Sequence, residues 1–170
     1  MQLIRYPSQI LLKICKSVLD SGKGQRRKDR LILANKMWKI MNDNHGIGLA
    51  APQVGLDIRM FVWNYYGSQV HNQAIWNPVL IHICGFIEST EGCLSLPGVN
   101  VTLQRATSSV LSGTGINGKP IGLIGNSITT RIWQHEINHL DGKLIIDNMS
   151  LSDKNSNKGA LRELLKNHGQ

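Results

Sequence analysis

Cysteine, aromatic residues and long apolar runs are all scarce in this 170-residue chain, and each scarcity removes a class of protein. The three cysteines, Cys15, Cys84 and Cys93, are an odd set with no C-x-x-C pair. That argues against a disulfide framework and for a reducing compartment. No stretch of eighteen apolar residues occurs, and the opening MQLIRYPSQI has no apolar signal core, so neither a transmembrane helix nor a secretory leader is expected. The expectation is a soluble cytoplasmic protein with no membrane partner, or an organellar one if a transit peptide has been removed. Phe, Trp and Tyr number only nine and are not interleaved with the basic residues. With no RNA-binding motif either, a nucleic-acid-binding module is disfavoured and nothing points to DNA.

What is present is a basic balance, 19 Lys and Arg against 11 Asp and Glu for a net +8. It favours polyanionic surfaces without choosing among them. The length suits one domain with its own core. From Arg30 to Met41 the residues Leu31, Ala34, Met37, Trp38 and Met41 recur at helical spacing. IRMFVW and AIWNPVLIHI read as strands. ATSSVLS and KPIGLI read as a hairpin through INGK, where Asn117 and Gly118 suit a primed turn. A second helix is expected to start at Asn126 as N-cap and stop at Gly142, with Ile128, Ile132 and His135 on one face. Strands outnumber helices without alternating with them, which predicts an α+β fold. After Met149 the run SLSDKNSNKG is polar and rich in breakers, so residues 151–170 read as a short polar and basic tail, with ALRELLKN at most a short helix loosely tied to the rest.

The chemistry is concentrated in QHEINHLDG, residues 134–142. Helix positions four apart differ by roughly 40° and about 6 Å along the axis, so His135 and His139 can reach one metal ion. Glu136 projects about 100° from His135, outside the coordination sphere yet within reach of a water on the metal. A catalytic site of this kind usually takes a third protein ligand. The metzincin spacing puts it on Ile145, which cannot bind a metal. Glu163 is available downstream but lies in the weak tail. His82 and Cys84 are two apart on an expected strand and read as a core thiol with a satisfied neighbour. Cys93, in EGCLSLPG, is either a buried edge-strand thiol or a ligand, the latter favoured by Gly92 and Glu91 beside it. GIGLAAPQVG, residues 46–55, has little side chain beyond Gln53, as a packed loop or a substrate-backbone site would.

Together GIGLAAPQ (46–53), EGCLS (91–95) and QHEINHLDG (134–142) closely resemble the signatures of the peptide deformylase family, in its order and at about its spacing. The likeness runs over roughly residues 3 to 150, which makes 1–150 the expected catalytic domain. It implies antiparallel or mixed sheets packed around a central helix that carries H-E-x-x-H. It implies Cys93, His135 and His139 as ligands of one divalent ion, Fe(II) physiologically, with Zn(II), Ni(II) or Co(II) able to replace it. By the same likeness Glu136 is general base and acid for a metal-bound water that attacks the formyl carbonyl of N-formylmethionyl nascent peptides. Gln53 and the backbone N–H of Leu94 would stabilise the oxyanion. Ile47, Gly48, Glu91, Gly92, Ile128 and Ile132 would bind substrate, the isoleucines lining a slot for the methionine side chain. Two departures stand out. Asn100 replaces an arginine that some bacterial members turn toward the downstream substrate, and the tail is short and interrupted where others carry a basic ribosome-docking helix. Transient ribosome contact through Lys154, Lys158, Arg162 and Lys166 is the corresponding expectation.

One substitution separates this reading from a zinc endopeptidase that uses Glu163. Cys93→Ala should abolish metal retention, measured as metal content of the purified protein. Retention in that variant, with loss on Glu163→Gln, would establish the endopeptidase arrangement instead.

Overall fold

The computed structural model describes residues 1–18 and 27–167. The first long element is helix α1 (Arg27–Asp43), which buries Ala34, Met37, Trp38 and Met41 as the periodicity predicts. Leu31 departs from that stripe and is exposed. Arg30 is buried in its place, its guanidinium over the Trp76 ring at 5.5 Å and donating to the Gly115 carbonyl at 3.2 Å. An aromatic face and a carbonyl hold a cation there more specifically than another leucine would.

Five antiparallel strands form one sheet in the order β1 (Gly48–Ala50), β2 (Met60–Trp63), β3 (Gln73–Cys93), β4 (Leu96–Thr114), β5 (Pro120–Asn126). β3 runs far past the expected AIWNPVLIHI. It absorbs the EGC stretch and turns through Leu94 and Ser95 into β4. The β4–β5 hairpin forms where expected, but not through a primed turn. Gly118 has φ +79° whereas Asn117 stays at negative φ, and the Gly118 N–H donates to the Gly115 carbonyl at 2.9 Å. The Gly115 N–H donates to the Lys119 carbonyl at 2.9 Å, and the three residues inside that pair close on a left-handed glycine, which matches the strand twist as well as the two-residue form does.

Helix α2 (Ser127–Leu140) carries His135, Glu136 and His139. Asn126 occupies its N-cap position in extended conformation without a side-chain cap bond. Gly142, at φ +70°, ends the helix, and its N–H returns to the His139 carbonyl at 3.2 Å. A Cβ at Gly142 would sit 2.7 Å from the Leu12 carbonyl oxygen, so the N-terminal segment passes too close for any other residue. Ile132, Trp133 and Leu140 bury against Ala50, Phe61, Trp63, Ile75 and Leu111, which packs α2 onto the sheet.

The chain beyond Met149 is not a loosely tied tail. It forms α3 (Leu151–Asn167), a helix of 17 residues. Ser150 and Asp153 make a reciprocal cap, the Asp153 N–H to Ser150 Oγ at 3.0 Å and the Ser150 N–H to Asp153 Oδ2 at 3.2 Å. Leu164 buries with Leu96, Val99 and Val101. The Asn157 side chain brackets Asn100, accepting from its N–H at 2.9 Å and donating to its carbonyl at 2.7 Å. Capping and tertiary contacts override the poor helix propensity of SDKNSNKG. Asn157→Ala should therefore lower stability by about 1–3 kcal/mol, read as a fall in the urea midpoint, because it strands two backbone groups of β4.

Candidate metal centre

Strand and helix spacings match where β3 meets α2. Residues two apart on a strand rise roughly 6.7 Å and residues four apart on a helix roughly 6 Å, so two strand side chains can meet two helix side chains rung for rung. Glu91 meets His135, Oε2 to Nδ1 at 2.9 Å, and Cys93 meets His139, Sγ to Nε2 at 3.2 Å. The two imidazoles stand edge to face, with centroids 5.1 Å apart. One ligand atom from each of Cys93, His135 and His139 falls within 4.8 Å of the others. Tetrahedral bond lengths to sulfur and nitrogen place donors about 3.4–3.6 Å apart around a common ion, so this set fits a divalent cation with little adjustment. Glu136 Oε2, buried and without a hydrogen-bond partner among the described residues, marks the polar space such an ion and its water would share.

Charge at the centre follows from its neighbours. Burial opposes ionisation of Cys93, yet the adjoining His139 and His135 hold its thiol down to about 5, the thiolate state a metal requires. Burial acts unopposed enough on Glu136 to push its carboxyl up to about 7 against the attraction of His135 and His139. Glu91 is buried too, but His135 and the two-pronged Arg105, at 2.8 Å on each oxygen, hold it down to about 2. Its carboxylate fixes the His135 ring so that Nε2 is left for a ligand, the usual support for a metal-bound histidine.

A cavity of about 420 Å³ opens beside these groups. Ile47, Gly48, Gln53, Glu91, Gly92, Cys93, Leu94, Ile132, His135 and Glu136 all line it, so most residues singled out in the sequence are brought together. Gln53 is anchored by the 3-10 turn Ala51–Val54, which follows β1. Its Oε1 accepts from the Ala50 N–H at 2.8 Å, and its Nε2 faces Ser95 Oγ at 3.2 Å and Cys93 Sγ at 3.5 Å. Gly48 is required by close approach, because a Cβ there would overlap the Glu136 carboxylate.

Several expectations are corrected. Ile128 does not line the cavity but packs against the core around Trp133 and Leu140. The expectation for Glu91 concerns its backbone and is not corrected: its side chain is committed to Arg105 and His135. Glu163, the third ligand only of the rival endopeptidase arrangement, is exposed on α3 and outside the converging donors, as the preference for Cys93 requires. His82 and Cys84 are exposed rather than core, and a register shift between Ile81 and Cys84 breaks their shared face. The sequence reading missed Arg105, a lone arginine in β4 whose partner lies fourteen residues away, and Arg131, which lines the cavity and bonds Ser89 Oγ. Nothing in local pattern marks either.

A thiol and two imidazoles around one point, with a buried carboxylate alongside, form a cluster that could hold a divalent ion, as hydrolytic metalloenzymes require. The chain belongs to the peptide deformylase family. The polypeptide deformylase family model matches residues 1–155. The peptide deformylase of Hydrogenovibrio crunogenus is 36% identical over 150 residues, covering 88% of this chain and 86% of that one. Among solved structures, peptide deformylase from Plasmodium falciparum superimposes with a TM-score of 0.89 at 32% identity, covering 99% of this chain and 97% of that one. One from Legionella pneumophila gives 0.84 at 34% identity, covering 97% and 93%. The protein is accordingly a deformylase hydrolase of a metalloenzyme family that serves protein biosynthesis. No helix among the described residues is long and apolar enough to cross a membrane.

Glu91 generates a pH prediction. Because His135 and Arg105 hold the Glu91 carboxyl down to about 2 in the fold, against about 4.5 for a free glutamate, its ionised pairing stabilises the fold fully above pH 4.5 and ceases to do so as pH falls toward 2. Urea midpoints followed through that window should drop in the native protein and much less in Glu91→Gln. Arg105→Ala should cost about 3 kcal/mol at neutral pH, since it leaves a buried carboxylate short of its main counter-charge.

Proposed function

We propose that this protein removes the formyl group from the N-terminal formyl-methionine of newly made polypeptides, with Cys93, His135 and His139 holding the metal. The convergence of those three donors beside Glu136 and Gln53 is the observation that carries the reading. A bound divalent ion would act as a Lewis acid that polarises the formyl carbonyl and makes a water acidic enough to attack near neutral pH. Fe(II) is the ion we assign physiologically, with Zn(II), Ni(II) or Co(II) compatible with the same donors.

Glu136 takes the proton of the attacking water. Its elevated pKa near 7 suits it to hand that proton on to the departing amine, so that one carboxyl serves as base and then as acid. The amide N–H of Gln53 and the backbone N–H of Leu94 receive the developing oxyanion, and the bond from Ala50 already sets which end of the Gln53 amide faces the cavity. Ile47 and Ile132 form the apolar wall for the methionine side chain. The backbone of Gly48 and of Glu91 to Leu94 offers strand-like pairing to the peptide. α2 is the central helix of this scheme, with the sheet wrapped about it. Residues 1–150 supply the catalytic parts, and 151–170 are accessory to them.

We further assign the protein to the cytoplasm, or to an organelle if a transit segment is removed, and infer transient ribosome contact through the exposed Lys154, Lys158, Arg162 and Lys166 of α3. Replacing these four by Ala should weaken cosedimentation with ribosomes and flatten its salt dependence. Unchanged cosedimentation would remove the contact.

The decisive assay is formate release from a formyl-methionyl peptide under anaerobic conditions, with metal content measured on the same sample. Glu136→Gln should keep the metal and lose nearly all turnover. Gln53→Ala should lower kcat by about 10²–10³. A metal-loaded native protein that releases no formate would defeat the proposal.

A further inference from the structure

We propose that the free edge of β3 is a self-association surface, on which a second copy of this chain pairs antiparallel about a two-fold axis. β2 pairs with only Gln73–Trp76 of this 21-residue strand, so beyond Trp76 the sole strand neighbour of β3 among the described residues is β4. An edge of this length presents a row of backbone donors and acceptors that can template another strand. Proteins that remain monomeric blunt such edges with lysine, proline, inward charge or bulges. This edge carries a bulge between Ile81 and Cys84, where His82 takes positive φ, which leaves the stretches on either side of it for pairing. Here residues 79–87 contain no Asp, Glu, Lys, Arg or Pro. Val79, Ile81, Ile83, Phe86 and Ile87 are instead 41% to 69% exposed. The strip continues across the sheet, because Ile81 lies opposite Val110 and Val110 opposite Ile124, itself 86% exposed.

Area and charge decide the occupant. The exposed parts of the six large side chains amount to roughly 600 Å² of apolar surface per copy, at the upper limit of what a monomer leaves open. A specific interface takes about 800 Å² per partner, a total the strand backbone, His82 and Cys84 would complete. Each copy carries +8, so two copies meet most favourably where neither presents a charge, and this strip is such a place. A two-fold axis pairs the edge with itself in antiparallel sense. Both edges are then used once, which closes the assembly at two rather than propagating it. Beside the strip lies a groove of about 390 Å³ bordered by Val79, Ile83 and Ile137 together with Arg59, Arg105 and Asp141, so the apolar contact is confined to the strip itself.

The metal-loaded protein should sediment at twice its 18.9 kDa chain mass at about 10 μM. Phe86→Lys and Ile124→Lys, both at exposed positions outside the metal centre, should each weaken the dimer by at least about 100-fold while leaving kcat/KM for formate release unchanged. That unchanged activity certifies the fold of both variants. Amides of residues 79–87 should exchange hydrogen more slowly in the dimer than at dilutions that dissociate it. Four results would each overturn the proposal: a monomer at every concentration tested, a dimer indifferent to both lysines, a dimer whose 79–87 amides gain no protection, or open-ended polymers.

Discussion

The centre depends on a carboxylate that need not touch the ion. Glu91 is clamped by Arg105 from β4 and spends its remaining capacity on His135 Nδ1. Strand, neighbouring strand and helix are thereby locked at one height, and Cys93, two residues further along β3, arrives beside His139 as a consequence. The near equality of a two-residue strand step and a four-residue helix step makes this double contact available. A β3 displaced by one residue would turn both Glu91 and Cys93 to its other face.

Burial then sorts two glutamates into opposite roles. Glu91 and Glu136 are both buried, but one sits between a guanidinium and an imidazole and stays ionised, while the other has an oxygen with no hydrogen-bond partner among the described residues and is pushed toward neutrality. A permanently charged group can orient a ligand. A group whose pKa lies near the working pH can move a proton. Gly48 lets β1 lie against the second of these without a side chain in between.

The same long strand serves two ends. Toward Cys93 it is pinned by α2 and β4, whereas its middle, past the last contact with β2, is exposed on its side chains and single-sided in its pairing. A register shift between Ile81 and Cys84 divides these stretches, with His82 at positive φ within it and Gly85 just beyond it, while a second shift between Gly92 and Cys93 falls at the turn into β4. A bulge lets one part of a strand bend toward a site while another follows a different surface.

The amino-acid sequence by itself determined the parts whose information is local. The helical period fixed α1 and α2, Gly142 ended α2, and the spacing of His135, Glu136 and His139 named a chelate with its base. Resemblance of three short motifs supplied Cys93 and Gln53, which neither period nor spacing could have selected over Glu163 or Cys84. Only the tertiary structure decided the rest. Arg105 matters because it pairs with Glu91 across a hairpin, and Arg30 is buried because Trp76 and the Gly115 carbonyl wait on other strands. Ile128 turned to the core instead of the cavity, and α3 formed despite its polar sequence because Asn100 and the pocket around Leu164 lie far away in the chain. Local spacing records which atoms one element can bring together. Contacts between residues fourteen to eighty-five positions apart depend on how elements pack, and no short window of sequence contains that.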